Sequence, residues 1–144
     1  MSRLATIGYE TDTQGGLIQR LKAADVELVV DVRAVASSRK AGFSKTLLGN
    51  SLNAEGVGYL HLRPLGTPKP GRDAARAGRT DEMRQIFNAH LEEPTAQLAL
   101  AQATELAKER RIALLCYEDD PNCCHRQIVA DRIRAVLKCE VVDL

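Results

Sequence analysis

The chain has 144 residues, 44% of them hydrophobic and 27% charged, with a net charge of +1. That composition suits one folded domain burying roughly two thirds of its unfolded surface, and it excludes wholesale disorder. Near-neutrality excludes a global basic field for DNA, and a chain with no Trp and only three Tyr and two Phe lacks a broad stacking platform for single strands. The longest apolar runs, such as residues 112–117, are strand-sized, so no membrane partner is expected. Residues 1–4 lack the apolar core of a secretory leader, and Cys116, Cys123, Cys124 and Cys139 do not have the spacing of a disulfide framework. Together these features predict a cytoplasmic protein with free thiols.

In chain order, residues 4–9 predict a short buried strand closed by Gly8, and residues 14–24 a helix with Leu17, Ile18 and Leu21 on one face and Thr13 as N-cap. Residues 26–32 form a largely β-branched apolar run, the pattern of a parallel strand buried on both faces. A polar, basic loop over 34–42 leads to a helix over 44–54, with Ser44 as candidate cap and Leu47, Leu48 and Leu52 along one side. A third strand is expected over 56–62. Residues 63–80 then hold three of the five prolines, three glycines, and Arg63, Lys69, Arg72, Arg76 and Arg79 against the single acid Asp73. This segment is expected to be a basic insert, a functional loop or lid. Helices are predicted over 81–91, with His90 in the core, and over 95–110, capped by Thr95 after Pro94 interrupts the chain. A strand over 111–117, a turn at 119–122, a helix over 124–138 and a last strand over 140–144 complete the pattern.

Alternating strands and helices predict a single three-layer, Rossmann-like α/β domain over 1–144: a mostly parallel sheet of about five strands with helices on both faces. In such sheets ligands bind beyond the carboxyl ends of the strands. That edge collects Tyr9 and Glu10, then Asp31 and Arg33 followed by Ser37, Ser38 and Arg39, then His61 and Arg63, then Cys116 and Glu118, and finally Cys124, His125 and Arg126 at the start of a helix.

Each residue type has a chemistry. A helix N-terminus with an arginine beside it is an anion site, and a cysteine there has raised thiolate character. Cys124 is therefore a candidate nucleophile or redox thiol, with Cys116 a lesser candidate and His125 a candidate base. Asp31 and Glu118 are candidates to orient cations or handle protons. Arg33, Arg39 and Arg126 are candidates to hold anionic groups, with Tyr9, Glu10, Ser38 and His61 lining the same site. The competing structural account is a buried ion network of Asp31, Arg33, Glu118 and Arg126.

Zinc requires Cys116, Cys124 and His125 to converge, with Glu118 or His61 completing the set. Paired C-x-x-C and H-x-x-x-H spacings are missing, and the neighbours Cys124 and His125 seldom reach one ion, so neither a metal nor a cofactor is expected. The thiol phosphatase and sulfurtransferase loop, with cysteine five residues before arginine, does not fit either: Arg126 follows Cys116 by ten positions and Cys124 by two. No phosphate-binding glycine motif occurs.

Taken together, Thr6-Ile7-Gly8-Tyr9-Glu10, Asp31-Val32-Arg33, Ser38-Arg39, Gly42-Phe43-Ser44-Lys45, Tyr59-Leu60-His61-Leu62, Leu65-Gly66, Cys116-x-Glu118 and Cys124-His125-Arg126 resemble, in order, the motifs of the bacterial and archaeal domain of unknown function 488 family. Thr11 stands where that family has glycine, residues 34–37 lack its proline, and Cys123 doubles its cysteine. The resemblance implies an α/β domain whose motifs cluster in one site, with nucleotide or nucleic-acid processing as the expected role. The functional expectation is an enzyme-like domain acting on a phosphate-bearing substrate, a nucleotide or nucleic acid. The alternatives are a non-catalytic nucleic-acid-binding module and a thiol-dependent enzyme or redox sensor using Cys124.

Overall fold

Strands buried on both faces need apolar side chains at every position, and the segments 28–31 and 112–116 nearly meet that need. In the computed structural model, which describes residues 3–144, they form the middle of the sheet. The strands are β1 (Arg3–Gly8), β2 (Leu28–Asp31), β3 (Gly58–His61), β4 (Ile112–Cys116) and β5 (Glu140–Asp143). They are all parallel, in the order β3-β2-β4-β1-β5. Met1 and Ser2, within the segment inspected for a leader, lie outside the described residues.

The helices are α1 (Gln14–Ala23), α2 (Lys45–Ala54), α3 (Lys69–Arg76), α4 (Thr80–Leu91), α5 (Pro94–Glu109) and α6 (Arg126–Leu137). Period-two alternation splits the strands between two cores. Ala5, Ile7, Val29, Ala113 and Leu115 pack with Leu17 and Leu21 of α1 and Leu48 and Leu52 of α2. Leu4, Val30, Ile112, Leu114 and Cys116 pack on the other face with Phe87 of α4, Ala99 and Ala103 of α5, and Val129 and Ile133 of α6. The result is the expected three-layer α/β fold. Among the described residues, no helix is long and apolar enough to cross a membrane.

The topology also opens the site. From β1 the chain steps over β4 to β2, whereas from β4 it steps over β1 to β5. Right-handed crossovers in opposite directions place their helices on opposite faces. The loops leaving β1 and β2 therefore diverge from the loop leaving the central β4, and a crevice forms at that switch point.

Three local expectations change. The basic segment 63–80 is not a loop: it forms a 3₁₀ turn at Arg63–Leu65 and the helix α3, with Gly71 and Ala74 buried. Pro64 and Pro70 lie in the first turns of these helical pieces and Pro68 at the N-cap of α3, where the missing N–H is no loss. The helix α5 starts at Pro94 rather than behind a Thr95 cap, for the same reason. The helix α6 starts at Arg126, because residues 121–123 form a 3₁₀ turn, and it ends where Lys138 takes a left-handed conformation. Thr13 caps α1 as expected, its hydroxyl accepting from the Gly16 N–H at 3.0 Å.

Candidate active site

A cavity of about 720 Å³ opens at the carboxyl edge of β1, β2 and β4. Of the residues expected there, Tyr9, Glu10, Arg33, Ser38, Arg39, Cys116, Glu118, Cys124 and His125 line it, and Asp31, His61 and Arg126 do not. Its geometry depends on a close approach. A side chain at Gly8 would place its Cβ 2.0 Å from the Glu118 carbonyl oxygen, so only glycine lets the loop after β4 cross the end of β1.

One wall is built by the end of β2. Arg33 follows the strand by two residues and folds back on Asp31. Its Nε donates to both carboxylate oxygens at 2.9 and 3.0 Å, and an Nη donates to Oδ2 at 2.7 Å. The other Nη donates to the Tyr9 hydroxyl at 2.9 Å and the Phe43 carbonyl at 2.7 Å. Tyr59 donates its hydroxyl to Asp31 Oδ2 at 2.5 Å, and Tyr9 stacks on Phe43 with ring centroids 4.4 Å apart. The Asp31 and Arg33 side chains are 0% and 5% exposed, so the pair is a buried ion pair. Burial works against the Arg33 charge, but Asp31 overcomes it and fixes the guanidinium in its charged form. Burial and the Asp31 carboxylate push the Tyr59 phenol up. Burial also raises Tyr9, against the opposing pull of Arg33. Four of the five N–H donors of Arg33 are engaged by protein atoms. Asp31 and Arg33 thus form the buried ion pair that the structural account describes for them, and Arg33 also lines the cavity.

The floor is different. Cys116 ends β4, and Cys124 and His125 lead into α6. His125 donates from Nε2 to the Val32 carbonyl at 2.7 Å, and its ring meets Phe87 edge-on at 4.9 Å. The other ring nitrogen, Nδ1, faces Cys116 Sγ at 3.9 Å and Cys124 Sγ at 3.8 Å. The Cys116 thiol also approaches Glu118 Oε2 at 3.6 Å. The donor atoms of Cys116, Cys124 and His125 all lie within 4.8 Å of one another, and among the described residues this is the cluster that could hold a metal. The sequence spacing argued against this convergence.

The electrostatics follow from burial and crowding. Burial disfavours a charged Cys124, but the Cys116 hydrogen bond, the His125 charge and the Arg126 guanidinium outweigh it and hold the thiol well below its ordinary range. The hydrogen bond to Cys124 and burial drive Cys116 well above that range. Burial opposes a charged His125, yet the Cys124 thiolate raises it. Burial and the same thiolate push Glu118 up to about 7.

Arg126, expected to hold substrate, instead donates to the main-chain oxygens of Glu118 and Asp119, the latter at 3.2 Å. It pins the loop that carries the floor, and it is one of the largest fully buried side chains. His61 donates from Nε2 to the Arg33 carbonyl at 2.7 Å and supports the wall from outside the cavity. His90 is half-buried and donates from Nε2 to the Pro64 carbonyl at 2.7 Å.

Other lining residues were not assigned to the site from sequence. Arg72 and Arg76 of α3 join Arg39 at the cavity, with Thr67, Met83 and the exposed Cys123. The charge of the 63–80 segment was the available signal, but nothing in sequence showed which of its five cations reach the site. Cys123 lies 3.6 Å from Asp120 Oδ2, and that carboxylate raises its thiol.

A family model described as "Domain of unknown function DUF488" matches residues 15–133. No curated protein and no solved structure matches the chain.

Proposed function

The chain belongs to this family, a domain of unknown function, and from its site we propose that it is an enzyme acting on a phosphate-bearing substrate, a nucleotide or a nucleic-acid end. The observation that carries the reading is the pairing, in one cavity, of a cationic lining with a floor of two buried cysteines, a buried histidine and a half-buried glutamate. Arg39, Arg72 and Arg76 hold the anionic groups, since their guanidinium groups suit bidentate phosphate contacts. Cys116, Cys124, His125 and Glu118 supply the reactive groups. Arg33 and Asp31 fix the wall between them.

The cavity volume falls in the range of small-molecule sites, which favours a mononucleotide-sized group over a long polymer lying on the surface. The test is thermal unfolding against mononucleotides, single-stranded and duplex oligonucleotides, and sulfate at two salt concentrations. A ligand at a hundred times its Kd stabilises by about 2.7 kcal/mol. The expected result is a salt-resistant shift with one class of nucleotide that disappears in the Arg72→Ala/Arg76→Ala variant. A shift seen only with long polyanions and erased by salt would replace the enzyme with a nucleic-acid-binding module. Silence toward every phosphate-bearing ligand would overturn the proposal.

A further inference from the structure

We propose that Cys116, Cys124 and His125 form a binding site for one soft divalent metal ion of the zinc class, with its fourth coordination position open to the cavity beside Glu118. The inference deepens the enzyme reading above, and it stands on geometry of its own. Zinc binds thiolate sulfur at about 2.3 Å and imidazole nitrogen at about 2.0–2.1 Å, so tetrahedral coordination sets sulfur–nitrogen separations near 3.6 Å. The two separations here are 3.9 and 3.8 Å, and all three donor atoms fall within 4.8 Å. Shortening of a few tenths of an ångström brings the two sulfur–nitrogen separations to the zinc value, and the two sulfurs, within 4.8 Å of each other, close toward the roughly 3.8 Å that tetrahedral zinc sets.

These separations are long for hydrogen bonds between a ring nitrogen and sulfur, and their near-equality is what a shared ion between the three atoms requires. His125 is already oriented for it. Its Nε2–H is engaged by the Val32 carbonyl at 2.7 Å, which leaves Nδ1 as the donor nitrogen directed at the two sulfurs. Ligating histidines are held by such a second hydrogen bond. Phe87 packs on the same ring and restricts its rotation. The ligands come from two elements, β4 and the turn into α6, which Arg126 and Gly8 hold in register. All three are buried, yet all line the cavity, as does Glu118. Two thiolates and one imidazole with an open fourth position is the arrangement of a catalytic rather than a structural zinc site. A thiolate–imidazole donor set also selects against magnesium and calcium, which take oxygen ligands.

The test uses the full chain, stripped with a chelator and kept in reducing buffer. Cobalt(II) is titrated as a spectroscopic stand-in and then displaced by zinc. The expected result is equimolar binding, with a near-ultraviolet thiolate-to-cobalt charge-transfer band and intense visible bands of four-coordinate cobalt, both erased by zinc. Cys124→Ser and His125→Ala should each weaken binding by more than about 100-fold, beyond the loss typical for a partner outside the ligand set. Cys123→Ser and Cys139→Ser, which change cysteines outside the cluster, should leave it unchanged. Zinc should also slow alkylation of Cys124 in the unaltered chain, a readout independent of whether a variant folds.

Absence of the charge-transfer band, a band retained in Cys124→Ser, or alkylation of Cys124 indifferent to zinc would each overturn the site. Nucleotide stabilisation measured in parallel separates the two readings. Metal binding without any nucleotide effect sinks the substrate proposal alone, and a nucleotide effect without metal binding sinks the metal site alone.

Discussion

The ends of neighbouring strands β2 and β4 both gather ionisable side chains but differ in how far those side chains are satisfied. At β2, Asp31 accepts from Arg33 and Tyr59, and Arg33 also reaches Tyr9 and Phe43. Little bonding capacity remains there, so the group is rigid. At β4, one imidazole nitrogen faces two thiols at 3.8 and 3.9 Å, long for hydrogen bonds to sulfur and near enough to share a ligand. Charged residue types at a strand end therefore do not by themselves mark a reactive site. Saturation by protein partners separates scaffold from chemistry.

The sharpest way to break this contrast is to attack the scaffold. Asp31→Ala leaves a buried guanidinium without its counter-charge, and loss of one partner of a buried pair costs about 3–5 kcal/mol. Urea denaturation should show that loss in the midpoint. A fall below about 1 kcal/mol would mean the pair is not the keystone described. Gly8→Ala comes next. Its Cβ cannot coexist with the Glu118 carbonyl at 2.0 Å, so the loop must move. Stability should fall by about 1–3 kcal/mol, as for overpacking, and cobalt binding should fall with it.

Tyr59→Phe removes one hydroxyl from a charged acceptor, with an expected cost of about 1.5–3 kcal/mol by the same denaturation assay and no effect on cobalt affinity. Arg76→Ala is the smallest perturbation of the fold. The side chain is 76% exposed, so stability should stay within about 0.5 kcal/mol while nucleotide-induced stabilisation declines.

Most of the fold was legible because its signals are local. The largely β-branched run at 26–32, the apolar run at 112–117 and the Thr13 cap each declare themselves within a few residues. The helix α3 was not legible: its proline, glycine and arginine content has the composition of a loop, and only packing of Gly71 and Ala74 against the neighbouring elements makes it a helix. The site was legible as a list of residues at one edge, because parallel-sheet topology brings strand ends together. Its division into wall and floor was not. Arg126 looked like an anion holder because it opens a helix, yet main-chain carbonyls of its own loop take its two Nη groups, while its buried Nε has no partner. The convergence of Cys116 with Cys124 and His125 depends on the carbonyl of Val32, 93 residues from His125, which no spacing rule contains.

The most direct test of the claim that the β4 end is the reactive floor is a crystal structure of the full chain grown with zinc, with diffraction recorded on either side of the zinc absorption edge. The account predicts one anomalous peak bounded by Cys116 Sγ, Cys124 Sγ and His125 Nδ1, with the Asp31–Arg33 pair undisturbed beside it. A floor without zinc in such crystals, or an ion held only at surface carboxylates, would contradict it.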